Sequence, residues 1–324
     1  MEEKILELVE QFDIEITGSY RGRGAYHFMT PNGLWILKEY HSSAGKLIDE
    51  QEYKSNLIQQ GFSLVDEYVK NKSGSYFVQD RYRVVYVMKK YFQGDESNIR
   101  KREEVYQAGE NLGRLHKVSN ACPISHRLHE QYRPLIEMFA KKTKQLRRVY
   151  SYVTAIGQKN PYERQFASCY PGFLHQADMA MTQMTQLPKE ALEPGIVHGD
   201  YNQHNVLKTK AGLATVNFDH FSYQSQLLDL HHFLRKVLEK NRFSMDYAYE
   251  VISGYSCIIG LRPMDYQLLY CLLSYPDKFW KVSNHYYNGK KGWISPKRME
   301  KLNDLIEQNQ MKEKFLTDFQ KEFL

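Results

Sequence analysis

His198-Gly199-Asp200-Tyr201-Asn202-Gln203-His204-Asn205-Val206-Leu207, followed by Ala214-Thr215-Val216-Asn217-Phe218-Asp219-His220, is the stretch from which the fold is read. Its spacing is that of a phosphoryl-transfer centre: an Asp to hold an acceptor hydroxyl, an Asn five residues on to bind a metal, then a strand ending in polar metal ligands. Asp200 and His198 are the catalytic-loop candidates. Asp200 is expected to accept or orient the proton of an attacking hydroxyl, and Asn205 to place its amide oxygen on Mg²⁺. His198 is expected to fix the loop through hydrogen bonds, because the neighbouring Asp already has the proton-accepting task. On a continuing strand, Asn217 and Asp219 share a face two residues apart, so both would look at the metal. A second reading makes Asp219 a cap or turn acceptor at the strand exit. Where such centres keep a metal-binding Asp, this chain has Asn217, so the same segment predicts a kinase-type fold and questions kinase activity.

Outward from that segment, Ile5 to Phe12 has the spacing of a short amphipathic helix. Gly18 to Phe28, the turn signal Pro31-Asn32-Gly33 and then Leu34 to Tyr40 predict a glycine-bearing hairpin with Lys38 near the end of its second strand. Lys46 to Gln60 has helical spacing, and Gly61 is its stop. Tyr76 to Gln79 and Val84 to Met88 read as two more strands, and helical patterns dominate from Asn98 onward. The layout is α+β: a β-rich N-terminal lobe over 1–90, a helical C-terminal lobe over 91–324, and a hinge from Met88 to Gly94.

Within that layout Lys38 is placed to neutralise nucleotide phosphates if a helix carboxylate holds it, with Glu52 the chosen partner and Glu50 the alternative. Gly22 and Gly24, with Gly18, permit the close backbone approach of a phosphate-covering loop, although their spacing is not Gly-x-Gly-x-x-Gly. Met88 completes the set of cofactor-binding positions.

Composition sets the bounds. Of 324 residues, 42% are hydrophobic and 25% charged, and the net charge of +6 is mild, which fits a globular chain. No apolar run approaches the ~20 residues of a membrane span, the N-terminus lacks a secretory profile, and no interleaved basic-aromatic motif points to nucleic acid. Cys122, Cys169, Cys257 and Cys271 are scattered, as expected of reduced thiols in a cytosol. The basic run Lys141, Lys142, Lys144, Arg147 and Arg148 reads as a solvated helix face. His231 and His232 diverge by about 100° on a helix and cannot share an ion. Phe315, Leu316, Phe319 and Phe323 form a stripe that docks the last helix on its own lobe. The 25 tyrosines suit either interfaces or simple filling of core and surface.

The order of hairpin, strand Lys, helix Glu, hinge and His198-Gly199-Asp200 with Asn205 resembles the aminoglycoside phosphotransferase and choline kinase superfamily, which has the bilobal protein-kinase-like fold. Within it the chain resembles the CotS family of spore coat proteins. Leu37-Lys38, Leu112-Gly113-Arg114-Leu115-His116, Phe218-Asp219, Asp229-Leu230, Tyr275-Pro276-Asp277-Lys278-Phe279-Trp280 and Tyr286-Tyr287 carry that likeness. The resemblance implies ATP and Mg²⁺ as cofactors and Asp229 as a buried brace of the catalytic loop. It also implies synthesis in the cytoplasm of the mother cell, deposition in the spore coat and other coat proteins as partners. Active members keep an Asp at the position of Asn217, and an amide there removes a full charge that hard cations favour. At about 1.36 kcal/mol per tenfold in rate, the resemblance implies a weak or degenerate phosphotransferase serving as scaffold or nucleotide-binding module. The alternative is an active ATP-dependent kinase of a small hydroxyl or amino acceptor, with Asp219 replacing the missing ligand.

Overall fold

The computed structural model describes residues 3–288 and 296–324; Met1 and Glu2, where the N-terminal reading began, lie outside the described residues. The chain opens with helix α1 (Glu3–Val9), followed by strands β1 (Gly18–Gly22), β2 (Ala25–Thr30) and β3 (Gly33–Glu39). Arg23 and Gly24, with φ of 46° and 76°, make the two-residue turn between β1 and β2. Positive φ at both central positions matches the twist of the paired strands, and glycine adopts it without steric cost. Helix α2 (Ala44–Gln59) starts where the Ser43 hydroxyl accepts the Lys46 N–H at 3.2 Å. It stops before Gly61, whose φ of 92° leaves the helical region. Strands β4 (Phe77–Gln79) and β5 (Val85–Tyr91) complete an antiparallel sheet of order β1-β2-β3-β5-β4.

Register assigns the two faces of this sheet. Ile36 lies opposite Lys89, Leu37 opposite Met88 and Lys38 opposite Val87. Alternate residues share a face, so Lys38 and Lys89 look one way and Leu37 and Met88 the other. On the second face Phe28, Leu37 and Met88 pack with Ile5, Leu8 and Phe12, enclosing α1 against the sheet. Each such side chain contributes about 1.5–3 kcal/mol when fully buried. Met88, expected at the hinge among the cofactor-binding positions, is instead a fully buried core residue on the face of the sheet turned to α1. β5 runs on to Tyr91, within the segment expected as the hinge, and Phe92 to Gly94 connect it to the next strand.

The remainder contains the short strand β6 (Asp95–Glu96) and helices α3 (Arg102–Ser119), α4 (His126–Gln131), α5 (Leu135–Ala155) and α6 (Pro161–Thr185). Asn160 and Glu163 cap α6 reciprocally, with Pro161 in its first turn. Strands β7 (Gly195–Val197), β8 (Val206–Thr209), β9 (Gly212–Thr215) and β10 (Ser222–Gln224) then frame the polar segment from which the reading began. β8 pairs with β6 and β9, and β7 pairs with β10. Helices α7 (Leu227–Lys240), α8 (Met245–Ser256), α9 (Pro263–Ser274), α10 (Asp277–Asn288) and α11 (Pro296–Phe323) follow. The main core joins Leu112 and Leu115 of α3 with Phe233 and Leu234 of α7, Tyr255 of α8 and Leu268 of α9. Phe315 and Phe319 of α11 are buried in that same core.

A second, aromatic cluster lies among α5, α6, α10 and α11, where Phe279 stacks on Phe166 at 5.3 Å and Phe173 at 4.2 Å. Tyrosine serves both core and surface: Tyr162, Tyr201, Tyr255 and Tyr275 are among the largest fully buried side chains, whereas Tyr20, Tyr82 and Tyr152 are exposed. The basic run on α5 is not uniformly solvated, since Lys142 is half-buried and pairs with Asp277 at 2.7 Å. Among the described residues no helix is long and apolar enough to cross a membrane.

Candidate functional site

The loop between β7 and β8 carries His198 to Asn205, and its shape is set from below by Asp229 on α7. Asp229 is fully buried; its two oxygens accept the His198 N–H at 2.6 Å and the Gly199 N–H at 2.9 Å. Burial opposes its charge, but His116 Nε2 at 3.2 Å holds the carboxyl below the usual range. Tyr255 in turn fixes His116 through Nδ1 at 3.0 Å. Gly199 is required here: its φ is +81°, and a Cβ would lie 2.0 Å from the His220 carbonyl oxygen.

His198 is buried and does not face the cleft. The Asp200 N–H donates to its Nδ1 at 3.2 Å, which makes Nδ1 the acceptor and leaves Nε2 to donate to the Val216 carbonyl at 3.0 Å. Burial lowers its pKa, so the ring is neutral and structural. Asp200 is exposed and adjoins the cleft through Asn205, which lines it. Its Oδ1 accepts from Asn202 and its Oδ2 from Asn205, at 2.9 and 3.0 Å.

Asn205 spends its amide nitrogen on Asp200, which turns its oxygen toward Asn217, whose Nδ2 donates to it at 2.9 Å. The strand expected through Asn217 is absent. β9 ends at Thr215, Asn217 adopts the left-handed conformation (φ 64°, ψ 59°), and Phe218–His220 forms a 3₁₀ turn. Asn tolerates that backbone better than other side-chain-bearing residues. Asn217 and Asp219 thus face different partners instead of one ion. The Asn217 N–H donates to Asp66 Oδ2 at 2.9 Å, and its side chain also bonds the Tyr91 hydroxyl.

Asp219 is enclosed by ammonium groups. Lys38 Nζ reaches Oδ2 at 2.5 Å, Lys89 Nζ reaches Oδ1 at 2.9 Å, and Lys46 donates to the Asp219 carbonyl at 2.8 Å. Burial works against the Asp219 charge, yet Lys89 and Lys38 hold the carboxyl far below the usual carboxylate range.

Behind this pair lies a fully buried cluster in which Lys54 touches Glu50 at 2.7 Å and Asp66 at 3.0 Å, and Lys89 touches Asp66 at 3.1 Å and Glu50 at 3.6 Å. Glu52, the chosen partner of Lys38, is exposed, and Glu50 is the inward carboxylate. The reason is helical: Leu47, Glu50, Lys54 and Leu57 lie on one stripe of α2, and Glu52 is turned about 200° from Glu50. Even so, Glu50 pairs with Lys54 and Lys89, and Lys38 takes Asp219. Lys89, Asp66 and Lys46 were not among the sequence candidates. The signal for Lys89 was present, since it shares the inward face of β5 with Val85 and Val87.

Between the lobes is a cleft of about 490 Å³, lined above by Gly22, Ala25 and Ile36, at the back by Tyr91 to Gly94, below by Leu207, and at its inner end by Lys38, Asn205 and Asn217. That volume is within the ~300–1,000 Å³ of small-molecule sites. Gly22 lines it and Gly24 forms the turn above it. At the mouth Arg23 pairs with Glu96, which also holds His204 Nδ1 at 2.6 Å. A divalent ion needs several oxygens, preferably anionic. Asn205 offers its oxygen to Asn217, both Asp219 oxygens carry ammonium groups, and among the described residues no group of three or more His, Cys, Asp or Glu could hold a metal. The residues present do not fit Mg²⁺.

A family model described as "Spore coat putative kinase YutH" matches residues 5–319. No curated protein matches in sequence. Among solved structures, the chain is similar to an aminoglycoside phosphotransferase from Alicyclobacillus acidocaldarius subsp. acidocaldarius DSM 446, at TM-score 0.82 and 17% identity, covering 98% of this chain and 96% of that one. It is also similar to the spectinomycin phosphotransferase APH(9)-Ia in complex with ADP and spectinomycin (TM-score 0.71, 12% identity, 96% and 97% covered). A third likeness is to the amicoumacin kinase hAmiN in complex with AMP-PNP, Ca²⁺ and Ami (TM-score 0.63, 17% identity, 97% and 94% covered). At these identities the likeness shows the aminoglycoside phosphotransferase-like fold.

Proposed function

The chain belongs to the spore coat kinase-like family whose model spans it, and from that premise we propose that it is a coat component whose cleft holds a nucleotide with little or no phosphoryl transfer. The carrying observation is the mutual hydrogen bond of Asn205 and Asn217 beside an Asp219 already bound by two lysines. Together these withdraw the oxygens that would hold a catalytic ion. The cleft still has apolar walls for a base and Lys38 at its inner end for phosphates. In this reading Asp200 and Asn205 are relics of a transfer loop, Asp229 its brace, and the other proteins of the coat its partners. The protein is made in the mother cell and built into the coat. The test is an ATP hydrolysis and transfer assay with Mg²⁺ and with Mn²⁺: negligible turnover is expected, and robust turnover abolished by Asp200→Ala would overturn the proposal. One observation favours the second reading, an active kinase of a small acceptor: Asp200 is intact and exposed beside the cleft-lining Asn205.

A further inference from the structure

We propose that the cleft binds nucleoside polyphosphates without a divalent cation, and that Lys89 is the fixed positive charge that makes the ion dispensable. The inference rests on the nucleotide reading of the cleft given above.

Lys89 is fully buried on β5, and its ammonium joins the two lobes by touching Asp66 on one side and Asp219 on the other, at 3.1 and 2.9 Å. The carboxylate of Asp66 carries the arrangement further, because the oxygen that meets Lys89 also accepts the Asn217 N–H at 2.9 Å. Lys89 thus anchors the left-handed backbone of Asn217 through one shared oxygen. In a metal-dependent centre an ion neutralises the acid of this segment and ties it to phosphate; here an ammonium neutralises the acid and ties it to the sheet.

The charge count agrees. Glu50, Asp66 and Asp219 face Lys38, Lys54 and Lys89, three negative groups against three positive ones, all in contact within 4 Å. A divalent ion entering next to Asp219 must displace an ammonium from it and then sit among the remaining like charges. A polyphosphate faces no such cost. Each ammonium has three donors, and Lys38 and Lys46 spend one on Asp219 Oδ2 and on its carbonyl, respectively. Lys38 lines the cleft, and its remaining donors serve phosphate oxygens.

The experiment is calorimetric titration of the full chain with ATP and with ADP, in EDTA and in excess Mg²⁺. The expected result is a Kd in EDTA within about threefold of the Mg²⁺ value. Binding at least tenfold weaker in EDTA, or no binding in either buffer, overturns the inference. Lys89→Met keeps the aliphatic stem and is expected to weaken metal-free binding at least tenfold while Mg²⁺ restores part of it, because Asp219 regains a free oxygen. That variant leaves buried acid uncompensated, so the double variant Lys89→Met/Asp66→Asn, which removes one charge of each sign, guards against misfolding, with circular dichroism as the check. Wild-type metal-free affinity in the folded double variant overturns the role of Lys89. Mg²⁺-dependent binding without turnover would sink this inference and leave the function proposed above standing, whereas robust Mg²⁺-dependent turnover would sink that function.

Discussion

Asn217 gives its side-chain proton to the side-chain oxygen of Asn205 across 2.9 Å, so the two residues best placed to grip an ion satisfy one another. Asn217→Asp replaces that donor with an anionic oxygen aimed at the Asn205 oxygen. The variant is expected to bind Mn²⁺ and to acquire Mg²⁺-dependent nucleotide affinity, at a stability cost of about 1–2 kcal/mol for the lost hydrogen bond. Manganese electron paramagnetic resonance and a thermal melt read both effects; an affinity indifferent to Mg²⁺ would show that Asn217 is not what withholds the ion.

Lys54→Met should be far more damaging than any change at Glu52. It strands Glu50 and Asp66, both fully buried, and breaking one side of such a pair costs about 3–5 kcal/mol. Glu52 is exposed, and Glu52→Gln should stay within about 0.5 kcal/mol of the parent. Urea unfolding of the two variants separates them; equal midpoints would contradict the inward assignment of Glu50.

Gly199→Ala should disable the loop. The added methyl must clear the His220 carbonyl, 2.0 Å from its ideal position, in a backbone with φ of +81°. A loss on the order of 3 kcal/mol or more in unfolding free energy is expected, together with loss of nucleotide binding in calorimetry. A folded variant of parental stability would mean that the His-Gly-Asp turn is not tightly packed against His220.

Stability should fall as the solution is acidified from pH 7 to 5. Burial lowers the pKa of His198 and His231 below the ordinary 6.5, and that of His232 to about 4. The unfolded chain therefore takes up protons first, so the stabilisation is complete above about pH 6.5 and is lost as pH drops toward the folded values. Both ring nitrogens of His231 are buried without a hydrogen-bond partner among the described residues. His231→Leu should consequently be neutral or stabilising at pH 7 and should flatten the decline of Tm toward pH 5. An unchanged slope would remove His231 from the explanation.

Local signals carried much of this molecule. The helix ending before Gly61, the hairpin turn at Pro31-Asn32-Gly33 and the buried stripe of Phe315 and Phe319 follow from backbone permissiveness and helical period. Asp200, Asn205 and Asn217 converge because only a four-residue stretch of loop and one β-hairpin separate them. Long-range pairing was not legible. Lys38 finds Asp219 at a separation of 181 residues, and although the i,i+4 spacing within α2 offers Lys54 to Glu50, nothing local says that Lys89 will join them. The strand pattern also failed at Asn217, where the bonds to Asn205 and Asp66 prevail over extension of β9.

Lys38, Lys46, Asp66 and Lys89 come from the sheet-bearing part of the chain, and each is bonded to Asn217 or Asp219 of the helical part. Parting the halves would expose unpaired charge on both sides of the seam, so hinge-bending is expensive from the outset. A molecule stitched in this way should melt in one calorimetric transition, as a single rigid body with few soft joints.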